Sequence, residues 1–171
     1  VSIATKIHPC TGLPPGLAPA PAVRTGGASG RIGYFGPTRR LPDGRPRQHE
    51  GVDWLLPLGA PVYAAHEGVL PRPDVEQALG AGYGYRIYLR STEDATIETL
   101  YAHLSTVFVS TSHPGQIVRR GQCVGLAGRS GNTGFRDEDL RDCPTHLHFG
   151  VRLNTPSGLR WIDPLEWLEG A

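Results

Sequence analysis

Two short stretches of this sequence gather side chains able to do chemistry. In His146-Leu147-His148-Phe149, inside the run HLHFGVRL, polar and apolar residues alternate. A strand sends residues i and i+2 to the same face, so both imidazoles project together while Leu147 and Phe149 enter the opposite, apolar side. One face then presents two nitrogen ligands or bases side by side. Surface strands also carry HxH pairs by chance, so the pair gains its weight from a partner elsewhere in the chain.

His49-Glu50-Gly51-Val52-Asp53 is that partner. Its HxxxD spacing is close to the helical HExxH motif, in which one turn of helix brings two histidines to one face with a glutamate beside them as base. Gly51, Val52 and Pro57, with Gly44 and Pro46 upstream, are poor helix material. The segment reads instead as a turn entering a strand, with His49 and Asp53 at either end of a bend and converging on one ion. Glu50 then points away, as a solvated residue or a support for the ligands. Imidazoles and one carboxylate form a common three-ligand set for catalytic zinc, with the fourth position left to water or substrate. Cys143, close to His146, opens a thiolate alternative that ranks lower, because a fully protein-ligated site is structural.

His103 ends the apolar run TIETLYAHL. Such a histidine is usually a hydrogen-bonded packing residue. Beside a metal, however, hydrolysis needs one group to take the proton from water and another to steady the developing oxyanion, and His103 and His146 are the candidates. His8, His66 and His113 fall in no constellation and are expected to be structural or exposed.

The elements that must position these residues are mostly strands. Runs rich in Val, Ile, Tyr and Leu between Gly and Pro punctuation cover 60–64, 83–90, 96–103, 122–127 and 146–153. A 3.6-residue period occurs only near the end, where Asp163-Pro164 precedes Leu165, Trp167 and Leu168 as N-cap, first-turn proline and one short helix. Residues 71–84 and 129–145 read as long loops, the second carrying the mixed charges of RDEDLRD, and loops beyond about 12 residues in a compact domain are usually functional or mobile. Residues 1–30 form an extended Pro/Ala/Gly-rich segment and residues 31–171 the folded domain.

The chain has 171 residues and a formal net charge of +1, enough length for one core and no basic footprint for nucleic acid. No stretch approaches the roughly 20 apolar residues of a membrane span, and the N-terminus lacks the pattern of a signal peptide. The chain begins with Val1 and contains no methionine, as expected of a chain that has lost its initiator by processing, by excision from a longer protein or by the way it was made. Three cysteines, Cys10, Cys123 and Cys143, show no CxxC spacing. One disulfide with one free thiol and three separate thiols are equally compatible with that pattern.

HEGVD, YAHLS and HLHFGVR, in that order, resemble the lysostaphin/LytM-type zinc metallopeptidases. The similarity extends to Gly59-Ala60-Pro61-Val62-Tyr63, the Gly82-Tyr83-Gly84 turn, Arg120-Gly121-Gln122, Gly125 to Gly128, Ile162-Asp163-Pro164-Leu165, and Tyr34-Phe35-Gly36 with Arg39, from about Gly30 to the C-terminus. The resemblance implies an antiparallel β-sheet/barrel-sandwich hybrid with an open groove, one zinc ion on His49, Asp53 and His148, and catalysis by His146 and His103. It implies peptidoglycan peptide as substrate, cut as glycyl bridges by some members and at D-alanyl cross-links by others, by a monomer in the periplasm, secreted to the cell envelope, or carried in a phage virion. A silent relative that binds peptidoglycan or activates other wall hydrolases is the alternative, though the chain keeps every ligand. A lipoyl-type carrier is suggested by the GQIV…RRGQCVGLAG stretch but fails because the only lysine, Lys6, lies outside the fold. The chain departs from the family at Gly150, where glutamate is common, and at Tyr85, where asparagine is common. Its longer link from Gly134 to His146 is expected to wall the groove and alter which cross-link fits.

Overall fold

The structure is a computed structural model that describes residues 31–41, 43–71, 82–109, 115–131 and 145–169. The N-terminal segment and most of both long loops, with the predicted groove wall, therefore lie outside the described residues. So do His8, His113, Cys10 and Cys143.

Among the described residues, alternating residues and Gly/Pro turns fold into twelve strands: β1 (Arg31–Gly33), β2 (Gly36–Arg40), β3 (Pro46–His49), β4 (Val52–Leu55), β5 (Pro61–Tyr63), β6 (Gly68–Val69), β7 (Tyr85–Ser91), β8 (Ile97–Val107), β9 (Ile117–Val118), β10 (Cys123–Ala127), β11 (His146–Thr155) and β12 (Gly158–Ile162). The expected mainly antiparallel β architecture is what the chain adopts, with lysostaphin among its structural neighbours. Ten strands form one sheet whose spine runs β1-β4-β11-β8-β7-β6-β9, while β2 and β3 make a separate two-stranded ribbon. The five sequence-predicted strands correspond to β5, β7, β8, β10 and β11, with β8 running on to Val107.

One short helix, α1 (Pro164–Glu169), closes the described chain. Asp163 caps it, its Oδ1 accepting from the Leu165 N–H at 2.9 Å. No helix among the described residues is long and apolar enough to cross a membrane.

The core lies on one face of the spine. Phe149 and Val151 of β11, Tyr101 of β8 and Leu89 of β7 are fully buried there, packed with Trp54. Cys123 is disulfide-bonded. His66 is half-buried rather than exposed, its imidazole 2.9 Å from the Thr99 hydroxyl and edge-on to Trp167.

Candidate metal centre

The bend at Glu50 and Gly51 joins β3 to β4, as the glycine and β-branched residues predict. β4 pairs with β11 so that Asp53 stands directly opposite His148. His49 closes the group from the end of β3. His49 Nε2 lies 3.1 Å from His148 Nδ1 and 3.2 Å from Asp53 Oδ1, and His148 Nδ1 lies 2.9 Å from that same oxygen. The three residues are 5%, 3% and 2% exposed for His49, His148 and Asp53.

Proton accounting shows what such a triangle is for. His49 Nδ1 is 2.7 Å from the Tyr34 carbonyl oxygen, which only accepts, so the neutral ring presents a bare lone pair at Nε2. Asp53 Oδ1 is a second acceptor, and His148 Nδ1 carries at most one proton. With at most one proton of their own, the three atoms can turn lone pairs on one small cation. Tetrahedral zinc, with bonds of about 2.0–2.1 Å, sets its ligand atoms about 3.3 Å apart, close to the observed edges. The donor set fits a zinc ion.

The backbone is also shaped around these side chains. A Cβ on Gly33 would stand 2.5 Å from Asp53 Oδ2, and one on Gly51 would stand 2.8 Å from His148 Nε2. Only glycine lets the chain approach both groups this closely. His148 Nε2 is buried against Gly51 without a hydrogen-bond partner among the described residues, leaving Nδ1 as the atom that faces the other donors. Burial raises the Asp53 carboxyl, but the His148 and His49 imidazoles outweigh it and hold the group far below the usual carboxylate range. Burial likewise lowers His148, against the pull of Asp53.

Arg39 reaches in from β2. Its Nη2 donates to Asp53 Oδ2 and lies 3.1 Å from His49 Nε2. The carboxylate thus has one oxygen held by a guanidinium and the other turned to the imidazoles.

The two further histidines flank the triangle. The His146 and His103 rings are 4.9 Å apart, and the His103 ring is 5.8 Å from that of His148. His103 arrives by an irregularity. Tyr85 pairs with Leu104 and Ile87 with Tyr101, so β8 holds one extra residue between those pairs. His103 sits in it with φ 62°, a left-handed conformation rare outside glycine. Strict alternation from Thr99 and Tyr101 would drive His103 into the core; the bulge turns it to the groove and sends Leu104 inward. The ring is then fixed by Nδ1–H donating to the Ser130 carbonyl at 2.8 Å, which leaves Nε2 as an acceptor. Burial first, then the neighbouring imidazoles, push its pKa down to about 3.

These groups open into a cleft lined by Arg39, Arg47, Gln48, His49, Glu50, Gly82, Tyr83, His103 and His148. Glu50 faces this cleft rather than turning away, its Oε2 accepting from the Tyr83 hydroxyl at 2.5 Å. The Tyr83 ring packs on His148 with centroids 5.1 Å apart. Burial, then Glu50, push the tyrosine hydroxyl upward, so it serves as a donor.

The geometry therefore brings together all five histidine and aspartate residues singled out in the sequence. It adds Arg39, Tyr83 and Ser130, which sequence reasoning placed in the scaffold or in a loop. Among the described residues, His49, Asp53 and His148 form the one His/Cys/Asp/Glu group whose donor atoms all lie within 4.8 Å of one another.

Residues 47–159 match Peptidase family M23. The chain belongs to peptidase family M23. The peptidoglycan DD-endopeptidase ShyB of Vibrio cholerae is an M23 relative, 36% identical over 118 residues that make up 68% of this chain and 24% of ShyB. The chain thus spans about a quarter of the length of such curated relatives. Among solved structures, a zinc-containing peptidase from Vibrio cholerae superposes with TM-score 0.57 at 30% identity, covering 78% of this chain and 35% of that one. The catalytic domain of lysostaphin from Staphylococcus simulans gives TM-score 0.55 at 26% identity over 81% of this chain and 90% of its own. M23 membership accords with the lysostaphin-type resemblance carried by HEGVD, YAHLS and HLHFGVR.

Proposed function

We propose that this M23 domain hydrolyses peptide cross-links of bacterial peptidoglycan, with one zinc ion held by His49, Asp53 and His148. The observation that carries the proposal is the buried triangle of donor atoms, all within 4.8 Å of one another, beside an open cleft that His49 and His148 line. Bound there, zinc supplies a Lewis acid that polarises a carbonyl and acidifies water to a pKa of about 7.

The chain's own residues do the rest. His103, with Nδ1–H committed to Ser130 and Nε2 bare, accepts the proton of the attacking water. His146, at the other side of the same ring pair, donates toward the oxygen that gains charge as the amide carbon becomes tetrahedral. Arg39 holds Asp53 Oδ2 so that Oδ1 stays aimed at the metal position. Water adds to the carbonyl carbon, the C–N bond breaks, and the departing amine takes up a proton. No glutamate base is needed, and Glu50 is occupied by Tyr83.

On this reading the domain comprises residues 31–171 preceded by a Pro/Ala/Gly-rich segment, and it acts as a monomer at the cell envelope, where its substrate is. A silent relative would be expected to have lost donors, whereas this cleft retains the full set.

Purified walls of different cross-link chemistry, digested with and without a chelator, test the proposal. The expected result is release of fragments with new amino groups, abolished by metal removal and by His148→Ala. Release that survives both treatments would remove the assignment.

A further inference from the structure

The β2–β3 ribbon sets two arginines face to face beside the metal centre. Arg39 and Arg47 are register partners, and directly opposed residues of an antiparallel pair project to the same side. Both line the cleft that contains His49, His103 and His148. Like charges in this arrangement destabilise a ribbon, so each calls for an anion.

Arg39 has one in Asp53. Arg47 has none, for it makes no ion pair among the described residues. Glu50, the one carboxylate lining the cleft among the described residues, takes the Tyr83 hydroxyl. The cleft therefore offers an exposed guanidinium, a planar fork suited to a carboxylate, within the same concavity as the metal donors. Its cost to the ribbon is removed when an anion arrives with the substrate.

We propose that Arg47 is a specificity-determining residue that receives a free carboxylate flanking the scissile amide. The domain then prefers cross-links bearing such an acid to uncharged ones, whether amidated or built of glycine. The inference rests on the hydrolase reading above and names the substrate class for that site.

Cross-linked muropeptide dimers with free carboxyl groups, and the same dimers with those groups amidated, are the probes. The full chain loaded with zinc is expected to cut the acid dimer with kcat/KM about tenfold higher, a difference carried by KM, as one charge-assisted contact provides. Arg47→Gln brings the ratio to about one and Arg47→Glu inverts it. Because Arg47 is exposed on β3 and stands opposite a like charge, both variants should melt no lower than the wild type, which checks that folding is intact. Equal rates in the wild type, or a preference that persists in both variants, would overturn the inference while leaving the hydrolase reading in place. Failure of the wild type to cut either dimer would remove that reading, and the inference with it.

Discussion

On one face of β11, Leu147, Phe149 and Val151 are 3%, 0% and 0% exposed; on the other, His146, His148 and Arg152 are 2%, 3% and 7% exposed. Water is excluded about equally from both, yet the faces obey different rules. The apolar face is held by contact, with Phe149 against Trp54 and Tyr101 at centroid distances of 5.6 and 5.3 Å. The polar face is held by partners: Asp53 for His148, and for Arg152 a carboxylate, Glu98, together with the Tyr88 ring at 4.1 Å. Burial alone therefore does not mark a site. What marks it is a cluster of buried donor atoms within hydrogen-bond distance of one another and with at most one proton of their own among them.

Changing the polar face should remove activity before stability. His148→Ala is expected to lower the rate of wall hydrolysis about a thousandfold or more, read as release of soluble muropeptides, while the protein stays folded. A loss of less than about tenfold would break the distinction between the faces. Phe149→Ala on the opposite face should do the reverse, costing about 3–5 kcal/mol of stability in urea denaturation and leaving the metal affinity of the folded fraction intact.

Glu98 sharpens the comparison with pH. Burial would raise its carboxyl, but Arg152 and then Arg90 outweigh burial and hold it below its ordinary 4.5. A lowered folded-state pKa gives stability that is complete above the unfolded value and is lost as pH falls through the folded one. The wild type should therefore exceed Glu98→Gln by roughly 2 kcal/mol at neutral pH, with the gap closing below pH 4.5. A gap independent of pH would show that the ion pairs contribute nothing. The smallest effect is expected at Gly150, where a Cβ would stand 2.7 Å from the Trp161 ring and 2.8 Å from the Glu50 carbonyl. Gly150→Ala should cost about 1–2 kcal/mol in the same denaturation assay.

Much of this arrangement was legible in the residues. Alternation in HLHFGVRL places His148 on the polar face of a strand, and glycine in HEGVD makes a bend rather than a helix, so the triad follows from local rules. Arg39 was not legible as a contact of Asp53, because it depends on how the β2–β3 ribbon folds back over β4, which no periodicity encodes. Nor was the route by which His103 reaches the groove. Its chemistry singles it out, yet strict alternation would send it into the apolar core, and only one inserted residue in β8, invisible without the register of β7, turns it to the cleft. Glu50, between the two ends of the bend, is expected to point away from the ion; Tyr83, from a distant turn, gives it a partner inside the cleft.

The central claim is that His49, Asp53 and His148 hold a single metal ion, and stoichiometric metal binding tests it most directly. Chelator-stripped protein titrated with zinc, against a competing indicator, should bind one equivalent tightly and gain thermal stability with the logarithm of free zinc concentration, and His148→Ala should lose both. Absence of stoichiometric binding, or binding that His148→Ala leaves unaltered, would contradict the account.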